Sequence, residues 1–516
     1  MIEASISAAQ HLFTPGPMLG ILIMLPLALF SGLMPGGGLP ITAVVLSFAG
    51  ILDPWVSITV VVFAMAASDI TEPVPAILMG IPGARSAQAT ILDGYPMAQK
   101  GLAGVALGAS YTTTLVGGII GAIALLLALP VGRELLKLFG SAEFFLLSLM
   151  GILAVAVISA GALVKGVLTG AFGIAIAMIG FSNLSGEVRA NFGIDFLWEG
   201  FSIVPIVIGL FAIPEAIDLV VGDTPIAQER MEEMLKDAKK DVRRGMRTAM
   251  NHKWLMVRSS LIGTFVGAMP GVGGATAHWI AYVSAKQTEK GAAETFGTGD
   301  IRGVIAADAA NNSSDGGVLI PTVVFGIPGS AGMAIVMAIL VLSGIQPGPA
   351  MLSQHLDLTI SMVYTIALGN IIVVPIMLAG APYLTKVSAV PPNILAPIVI
   401  GFVTLAAFQA SSSIEDLFVV VIFGTLGVFM KAYGWPRPPI LIAVALADTL
   451  ERFLWINVNT YGFEMFLRPQ SVILVLIMVI TVVYSLRMQS SAKVIASNVV
   501  EGTQENALLQ EGPHDS

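Results

Sequence analysis

The chain has 516 residues, of which 56% are hydrophobic and only 11% are Asp, Glu, Lys or Arg. Soluble domains carry roughly 25% charged residues, so a soluble fold of this size could not cover itself with the polar side chains available. The net charge of −8 argues against nucleic-acid binding, and the absence of cysteine excludes a disulfide framework, a thiolate metal site and a cysteine nucleophile.

Long segments without any charged residue run through the chain and identify its class. Each is near or above the roughly 17–25 apolar residues that cross a bilayer as a helix. We therefore predict an all-α polytopic membrane protein with about ten to twelve transmembrane helices. The N-terminal stretch MIEASISAAQHLF lacks the basic region of a cleaved signal peptide, so we expect it to be retained. The clearest charge-free segments lie between Lys100 and Arg133, Glu143 and Lys165, Glu199 and Glu215, Asp357 and Lys386, and Arg468 and Arg487.

The orientation of the chain rests on residues 219–257, its only strongly basic stretch. This stretch contains AQERMEEMLKDAKKDVRRGM, residues 227–246, whose pattern predicts an amphipathic helix. Because cytoplasmic loops carry an excess of Lys and Arg, we expect this linker in the cytoplasm. Its simplest interpretation is a solvated helix between two membrane halves, and the alternative is a docking surface for a partner. The tail, 487–516, is polar and rich in Glu and Gln, and is predicted to be disordered.

Short motifs recur in the same order on either side of this linker. GLMPGGG, residues 32–38, corresponds to GAMPGVG, residues 267–273. Further along, a second group of motifs recurs with the same internal spacing. In this group, Ser68-Asp69, Pro75 and Gly80-Ile81-Pro82-Gly83 correspond to Ser314-Asp315, Pro321 and Gly326-Ile327-Pro328-Gly329.

These matched motifs predict two transmembrane repeats, 16–218 and 258–448, followed by a C-terminal membrane helix region, 449–486. Two halves joined by a cytoplasmic loop are typical of secondary transporters built from inverted repeats. A proline inside a helix costs about 3 kcal/mol or more, and non-helical backbone at membrane depth persists only where protein buries it or it lines a wet cavity. Matched Gly/Pro interruptions therefore predict broken helices or hairpins around a substrate site. The alternative is that these motifs form turns at the membrane surface.

The most polar run of the chain is DAANNSSDGGVLIP, residues 308–321, which is followed by a long charge-free block. We predict that a helix is broken at Asn311–Ser314, so that amides and hydroxyls face a solvated site. Such groups donate hydrogen bonds to a carboxylate without placing a fixed charge in the membrane. Gly316 and Gly317 would free backbone N–H groups for close approach, and a following helix N-terminus would carry partial positive charge suited to an anion.

Asp69 and Asp315 occupy equivalent positions in the two motif copies, next to Ser68 and Ser314. An ionised Asp at the bilayer centre costs at least about 2.5–3.5 kcal/mol, and it would also repel an anionic substrate. Protonation or a bound cation relieves both problems, and hard cations such as Na⁺ prefer oxygen ligands. We therefore expect these four residues to hold the coupling ion, Na⁺ or H⁺. The alternative is that each Asp caps a half-helix.

At these motifs the chain resembles the large membrane subunit of tripartite tricarboxylate transporters, the TctA type. The similar segments are GLMPGGGLP, ILMGIPG and LDGYPMAQKG in the first half, and PGVGGATAHWIAY, DAANNSSDGGVLIPTVVFGIPGS and GIQPGP in the second. The resemblance covers Gly16 to Asp448. It implies a bacterial inner-membrane carrier for citrate, other di- and tricarboxylates or aromatic acids, driven by an ion gradient rather than ATP. It also implies two partners: a small four-helix membrane subunit of TctB type and a periplasmic solute-binding protein of TctC type.

Carried over by position, the family's glycine-rich tips, Asn-Asn element and Ile-Pro-Gly turns define the candidate substrate site. The chain departs from the family at Ser68–Glu72, where Tyr, Gly and small residues are usual, and at Asp315, where a small residue is usual. These departures leave the substrate and the coupling ion open. The candidate substrate-binding residues are Gly36, Gly37, Gly38, Gly83, Gly271, Gly273, Thr276, Asn311, Asn312, Ser313, Gly329 and Ser330.

Two other classes of function compete with a carrier. An intramembrane aspartyl protease would use Asp69 and Asp315 as its dyad, and GTGD, residues 297–300, matches a pattern of such enzymes. That motif lies in a loop too polar to be embedded in the membrane, and no Tyr-Asp partner motif is present. A passive anion channel is disfavoured because channels are usually symmetric oligomers rather than internal repeats. No Lys-Ser/Thr follows Gly36–Gly38, so there is no P-loop, and we predict a non-enzyme without cofactors.

Three further features have structural interpretations. His278 is expected to be a hydrogen-bonded packing residue, with substrate contact as the alternative. LDGYPMAQKG, residues 92–101, is expected to be a polar loop at a membrane face, in which Asp93 caps or turns the chain. Gly344–Pro349 is expected to end a helix, with a partner contact as the alternative.

Overall fold

The computed structural model of the protein describes most of the membrane-associated chain. The predicted tip Pro35–Gly38, the turn Ile81–Gly83 and all but the last residue of the tip Pro270–Gly273 lie outside the described residues, as does the tail 487–516. The described residues are 1–33, 45, 52–80, 87–159, 163–182, 186–214, 217, 238–269, 273–381, 413–480 and 483.

These residues form an all-α protein, as predicted. Within them, the only strands are an antiparallel pair of two residues each, β1 Gly180–Phe181 and β2 Val188–Arg189. The α-helices are α1 Ile2–Leu12, α2 Pro15–Leu33, α3 Pro54–Thr71, α4 Pro73–Met79, α5 Gln88–Gln99, α6 Ala103–Leu136, α7 Ser141–Ser159, α8 Leu163–Ala177, α9 Ile203–Val207, α10 Ala238–Asn251, α11 Lys253–Gly267, α12 Gly273–Thr288, α13 Ala292–Thr295, α14 Ile301–Phe325, α15 Ala331–Leu342, α16 Pro349–Ser353, α17 Leu356–Gly380, α18 Glu415–Ala432, α19 Pro438–Thr460 and α20 Pro469–Ile480.

Several helices have the length and composition to cross a membrane. Among the described residues, 4 segments qualify: α2, the consecutive α3 and α4 over Pro54–Met79, α6 and α17. Shorter apolar helices include parts of α7, α8 and α15, and α20. The chain is therefore a polytopic membrane protein, and the total of about ten to twelve spans remains a prediction.

Helix α14 forms the centre of the described structure, where it packs against α5, α6, α11 and α12. Glycines bring the backbones of these helices together. A Cβ placed on Gly316 of α14 would lie 2.1 Å from the carbonyl oxygen of Gly121 on α6. One placed on Gly263 of α11 would lie 2.2 Å from the carbonyl oxygen of Ala310 on α14. No side chain fits at such distances, so these small residues fix the close approach of three helices.

The predicted helix break at Asn311–Ser314 is wrong. Helix α14 continues from Ile301 to Phe325 and contains the whole polar run. The serines remain compatible with a helix because their hydroxyls bond to carbonyls of the preceding turn: Ser314 Oγ donates to Asn311 O at 2.6 Å. Gly316 and Gly317, expected to expose their backbone, are instead contact points with α6 and α11. Close helix packing, rather than a break, explains the two glycines.

The helices that precede the two Pro-Gly tips end in similar surroundings. Gly32 lies next to the last residue of α2, and a Cβ placed on it would lie 2.3 Å from Ser68 O on α3. Its counterpart Gly267 ends α11, and a Cβ placed there would lie 2.8 Å from Ser314 O on α14. Each helix that precedes a tip in the sequence therefore ends beside the serine that precedes the motif aspartate in its own half.

The Gly-Ile-Pro-Gly motifs also begin in the same way. Helix α4 ends at Met79 and is followed by Gly80 with φ 69°, and α14 ends at Phe325 and is followed by Gly326 with φ 68°. Both glycines adopt the left-handed conformation that commonly terminates helices. Around these motifs the described parts of the halves differ at Glu72, which interrupts the first half between α3 and α4, whereas α14 passes through the equivalent position.

The basic linker packs on the membrane helices where the structure describes it. Helix α10 lies against the first turns of α6, and a Cβ placed on its Gly245 would lie 2.1 Å from Val105 O. Its other face exposes Arg243, Arg244 and Arg247. The end of the molecule where α10 contacts α6 is called the linker end below.

Two of the minor sequence expectations concern helix boundaries. LDGYPMAQKG is not a loop: helix α5 covers Gln88–Gln99 and includes most of the motif, with its single proline, Pro96, inside the helix near its end. Gly344 follows the end of α15 with φ 75°, so the segment Gly344–Pro349 does end a helix, as predicted.

Candidate ion and substrate site

The structure brings Asp69 and Asp315 together. Asp69 lies near the end of α3, and Asp315 lies in the middle of α14. Their carboxyl groups are within hydrogen-bonding distance of each other. Two acids from equivalent positions of the motif copies thus meet at the contact between the two halves.

A third acid, Glu72, completes this cluster and was not identified from the sequence as a site residue. Its carboxyl group lies within hydrogen-bonding distance of Asp69, and its side chain is 6% exposed. The sequence does contain a signal for Glu72: it lies three residues after Asp69, and residues three apart on a helix share a face.

The acid cluster requires protons or a bound cation. Two carboxylates at this separation cannot both be ionised in a buried site without compensation, because like charges repel strongly away from water. Among the described residues, the charged groups that act on Asp315 are Asp69 and Glu72. A hydrogen bond between two carboxyl groups also needs a proton on one of them. The ionisation of either carboxyl group therefore depends on that of the other.

Neither aspartate caps a helix, so the capping alternative is wrong. The N-cap of α14 is Asp300, whose side chain accepts from Arg302 N. The N-cap of α3 is Asp53, whose side chain accepts from Trp55 N. Asp315 lies fifteen residues beyond the cap of its helix, about 22 Å at 1.5 Å per residue.

The neighbouring serines have different surroundings. Ser314 is buried, and its hydroxyl is engaged by Asn311 O within α14. Ser68 is half-buried, and its carbonyl oxygen accepts from Thr71 Oγ1 at 2.8 Å. Both serines lie directly before an aspartate of the pair, so they border the acid cluster, and a role in holding the coupling ion stays a prediction.

Asn312 is committed to contacts inside the protein. Its amide nitrogen donates to Thr114 O on α6 at 2.8 Å and to the Asn370 side chain on α17. Both amide hydrogens are therefore used, and only the Oδ1 acceptor has no partner among the described residues. Asn312 joins α6, α14 and α17, an arrangement that leaves it no donor for a bound carboxylate.

Asn311 and Ser313 lie on different sides of α14. Ser313 Oγ donates to Ser260 O on α11 at 2.7 Å and is fully buried, so it serves packing between these helices. Asn311, the other residue of the predicted Asn-Asn element, is 4% exposed.

Most of the predicted glycine-rich site falls outside the described residues, namely Gly36, Gly37, Gly38, Gly83 and Gly271. Where the structure resumes, Gly273 is the first residue of α12, and Thr276 is half-buried one turn later. Helices α2 and α11, which precede the two tips in the sequence, end beside Ser68 and Ser314 of the acid cluster's surroundings.

Gly329 and Ser330 form the entry to α15. Gly329 N donates to Thr322 Oγ1 at 3.3 Å, and Ser330 Oγ accepts from Met333 N at 3.3 Å as the N-cap. A Cβ placed on Gly332 would lie 2.5 Å from the Met65 side chain of α3, one turn before Asp69. The N-terminus of α15, which carries partial positive charge, therefore begins near the acid pair.

Asp93 links the two halves at a different level. Its Oδ1 accepts from the backbone N–H groups of Gly297, Gly299 and Asp300 at 2.9, 2.9 and 2.8 Å. Its Oδ2 accepts from the Tyr282 hydroxyl at 2.8 Å. The side chain holds the loop before α14 against α5, a role across 204 to 207 residues of sequence that local pattern does not reveal.

The remaining candidates lie away from the acid pair. Burial opposes ionisation of Asp300, but hydrogen bonds from Arg302 and Thr295 lower its pKa below the ordinary value. His278 is fully buried in α12. In the part of the chain that the structure describes, no group of three or more His, Cys, Asp or Glu side chains is arranged to hold a metal ion.

Comparisons with known proteins identify relatives over most of the chain. The model of the "Tripartite tricarboxylate transporter TctA family" matches residues 18–442. An "Uncharacterized 52.8 kDa protein in TAR-I ttuC' 3'region" from Agrobacterium vitis is 27% identical over 442 residues, 85% of each chain. An "Uncharacterized protein in TAR-II ttuC' 3'region" from the same organism is 28% identical over 192 residues, 37% of this chain and 79% of that one. No solved structure matches the chain.

Proposed function

The chain belongs to the tripartite tricarboxylate transporter TctA family, and we propose that it drives the uptake of a small carboxylate with a coupling ion, as the large membrane subunit of a secondary transporter. The observation that carries this proposal is the contact between Asp69 and Asp315. Buried acids in a membrane protein are costly and are usually retained for function. An ion-coupled carrier uses such a pair directly, because the pair must gain and lose a cation.

We assign the coupling ion to the acid cluster and favour a proton over Na⁺. The direct approach of two carboxyl groups accommodates a shared proton without further ligands, whereas Na⁺ needs several oxygens around it. A protonated pair removes negative charge from the site and lets an anion approach. Loss of the proton restores the charge and expels the anion, which couples the two movements.

We assign the carboxylate itself to the polar groups and backbone that the family motifs identify and that can present N–H donors or positive potential. These are the glycine-rich tips, Thr276, Asn311 and the start of α15 at Ser330. Helix N-termini and glycine backbone N–H groups bind anions without a fixed charge. The substrate class is a di- or tricarboxylate such as citrate, or an aromatic acid, and the family description names tricarboxylates.

We propose transport by alternating access between two inverted repeats, on the basis of the matched motifs. Support comes from the similar surroundings of Gly32 and Gly267 and from the matched Gly80 and Gly326. The chain has no cysteine, so single cysteines report orientation directly. With inverted repeats, Gly37→Cys and Val272→Cys should react with membrane-impermeant thiol reagents from opposite sides. Reaction of both from one side under all conditions would rule out inversion.

The proposal includes two partners and a location. Membership of the family supports a small membrane subunit of TctB type and a solute-binding protein of TctC type that delivers the carboxylate. We place the complex in the bacterial inner membrane, with the basic linker in the cytoplasm.

An aspartyl protease is the second candidate, because its dyad would also consist of two adjoining acids. Two observations weigh against it. The family is one of transporters, and Asp300 of the GTGD motif lies about 22 Å along α14 from Asp315. Cleavage of a helical peptide by the purified chain, abolished in Asp315→Asn, would favour the protease.

The decisive experiment measures uptake of radiolabelled citrate and a panel of di- and aromatic carboxylates into proteoliposomes that contain the full complex and receive loaded binding protein. An imposed pH gradient and an imposed Na⁺ gradient are applied separately. We expect the pH gradient to drive accumulation, and Asp315→Asn and Asp69→Asn to abolish its effect because a carboxamide cannot carry the proton. Asp195→Asn, at an exposed acid outside the cluster, is the matched control.

Two results would count against the proposal. If Asp315→Asn accumulated substrate with an unchanged dependence on pH and Na⁺, the acid pair would not couple ion and substrate. If no carboxylate entered under any gradient with the complete complex, the transport function itself would be wrong.

A further inference from the structure

A row of buried oxygen atoms without partners runs along one face of α14. Asp308, Asn312 and Asp315 are spaced i, i+4 and i+7, so their side chains lie on the same face over two helical turns. Among the described residues, Asp308 Oδ2, Asn312 Oδ1 and Asp315 Oδ2 are buried and make no hydrogen bond. Asp308 and Asn312 are each 1% exposed.

Asp308, at one end of this row, has a polar environment of its own. The Thr90 hydroxyl of α5 donates to Asp308 Oδ1. The Ser110 hydroxyl of α6 is close enough to act on the carboxyl group, although it makes no hydrogen bond of ordinary geometry. Tyr111, also on α6, lies within electrostatic reach, and its buried hydroxyl has no partner in the described structure. Two helices, α5 and α6, thus place three hydroxyl groups around a carboxyl group in the protein interior.

Such an arrangement is unusual in a packed interior. Buried polar atoms are nearly always hydrogen-bonded, so unpaired ones call for an explanation, often a bound water, ion or functional role. All the unpaired atoms on α14 are acceptors. Their natural occupants are donors, and water molecules and protons are the donors small enough for a helix interface.

We propose that Asp308 is a second proton-binding carboxyl group, connected to the Asp69–Asp315 pair by a hydrated path past Asn312, and that it passes the coupling proton towards the linker end. The proposal deepens, and rests on, the proposed function as an ion-coupled carrier. The direction follows from the packing, because Asp308 contacts α6 at Ser110, about one turn beyond Val105, where α10 packs. The separation of Asp308 and Asp315 is about 10.5 Å along the helix, which requires intervening water.

The proton transfer balances without any further reactant. The O–H bond of the protonated Asp315 breaks, and its proton passes to a water molecule in the path. That water passes a proton on, and an O–H bond forms at the Asp308 carboxylate. Asp315 is left as a carboxylate, ready to accept the next proton, and no electrons are transferred.

The other titratable groups near this part of α14 are engaged elsewhere or lie farther along the helices. Asp93 on α5 holds the loop before α14 and accepts from Tyr282 of α12. Arg258 of α11 pairs with Glu289 at 3.1 Å. The groups to be considered in interpreting a pH profile are therefore Asp93, Tyr111, Arg258, His278, Tyr282 and Glu289.

The test separates proton-driven accumulation from proton-independent exchange. Proteoliposomes with the full complex contain a pH-sensitive dye, and citrate, or whichever carboxylate the wild type accumulates, is the probe. We expect Asp308→Asn to lower pH-driven accumulation and internal acidification by about tenfold or more, since a carboxamide binds no proton at these pH values. Exchange of labelled for unlabelled substrate across the same membranes should stay near wild type, because exchange needs no proton release.

Two further variants protect the test against a folding defect. Asp308→Glu should restore accumulation, at least in part, because it restores a proton-binding carboxyl group. Thr90→Val removes a donor to the carboxylate and should shift the pH midpoint of accumulation upward by about one unit. Asp195→Asn serves again as the control and should behave as wild type.

The outcomes are distinct. Unchanged accumulation and acidification in Asp308→Asn would overturn the second proton site while leaving the proposed function intact. Loss of both accumulation and exchange in Asp308→Asn and Asp308→Glu would show a purely structural role and would also overturn it. A wild type driven by Na⁺ and insensitive to pH would overturn the proton path, whereas a wild type without any carboxylate uptake would refute the proposed function itself.

Discussion

Replacing Asp93 with alanine should release the loop at residues 297–300 from α5 without unfolding the helices around it. The Asp93 carboxylate accepts four hydrogen bonds, three from backbone N–H groups of this loop and one from Tyr282. In Asp93→Ala all four donors lose their acceptor. The loop is partly exposed, so water can reach the freed N–H groups, and the damage should remain local.

The magnitude follows from the geometry. A hydrogen bond to a charged group contributes about 1.5–3 kcal/mol. The three backbone donors share the single oxygen Oδ1, so the set is closer to two full bonds than to four. We therefore expect a local loss of about 3–5 kcal/mol in Asp93→Ala, and of about 1–2 kcal/mol in Asp93→Asn, which keeps an acceptor oxygen but loses the charge.

Amide hydrogen exchange on the purified protein in lipid nanodiscs measures this loss directly. Each 1.4 kcal/mol of local stability corresponds to a tenfold change in protection, so peptides covering 289–302 should exchange about 10²–10⁴ times faster in Asp93→Ala. Peptides from the middle of α6 should be unaffected, as should the control Asp195→Ala. Unchanged hydrogen-exchange protection of 297–300 would refute the reasoning. Loss of protection over the whole chain would show that the effect of Asp93→Ala is not local.

Three other changes test neighbouring parts of the structure. Gly303→Ala should open the same loop and give the exchange pattern of Asp93→Ala, because the new Cβ would lie 2.0 Å from Asp93 Oδ2; normal loop protection would contradict it. Asn312→Leu should lower the free energy of unfolding by about 2–4 kcal/mol, because two buried acceptors lose their donor, and the midpoint of thermal unfolding should fall accordingly. The lowered pKa of Asp300 means that its ionised form stabilises the fold above the ordinary value of 3.8 and that this contribution is lost as the pH falls through the lowered pKa. Asp300→Asn should therefore lower the free energy of unfolding by approximately the same amount at pH 8 and pH 6, and by progressively less below about pH 4. Thermal unfolding at each pH measures this difference.

The fold class could be predicted from the sequence because it depends on local composition. Uncharged segments of membrane-crossing length fix an all-α membrane protein, and glycine in the left-handed conformation ends helices at the positions that the Gly-Ile-Pro-Gly motifs indicate. The helix break at Asn311–Ser314 was wrong because polar residues and glycines have two uses in a membrane helix. Gly316 and Gly317 permit close packing with helices remote in sequence, and only the packed structure distinguishes this use from a break.

The candidate site was predictable in part for the same reason. Asp69 and Asp315 stand out as acids in apolar surroundings at equivalent motif positions, and the structure brings them together. The role of Asn312 could not be read from the sequence, because its acceptors lie 198 and 58 residues away on α6 and α17. The sequence shows that an amide can donate hydrogen bonds, but only the tertiary packing determines which groups accept them.

The contact between Asp69 and Asp315 also constrains how the halves are related. When two halves are related by a two-fold axis, a residue touches its own counterpart only near that axis, since the distance between counterparts grows with distance from it. Asp69 and Asp315 are motif counterparts and lie within hydrogen-bonding distance, so if the halves are inverted repeats, as proposed, the axis must pass close to their carboxyl groups. A rocking movement of one half against the other displaces groups near the axis least. On the proposed mechanism, a coupling ion bound there would stay in place while access to it changed from one side to the other, as alternating access around a fixed site requires.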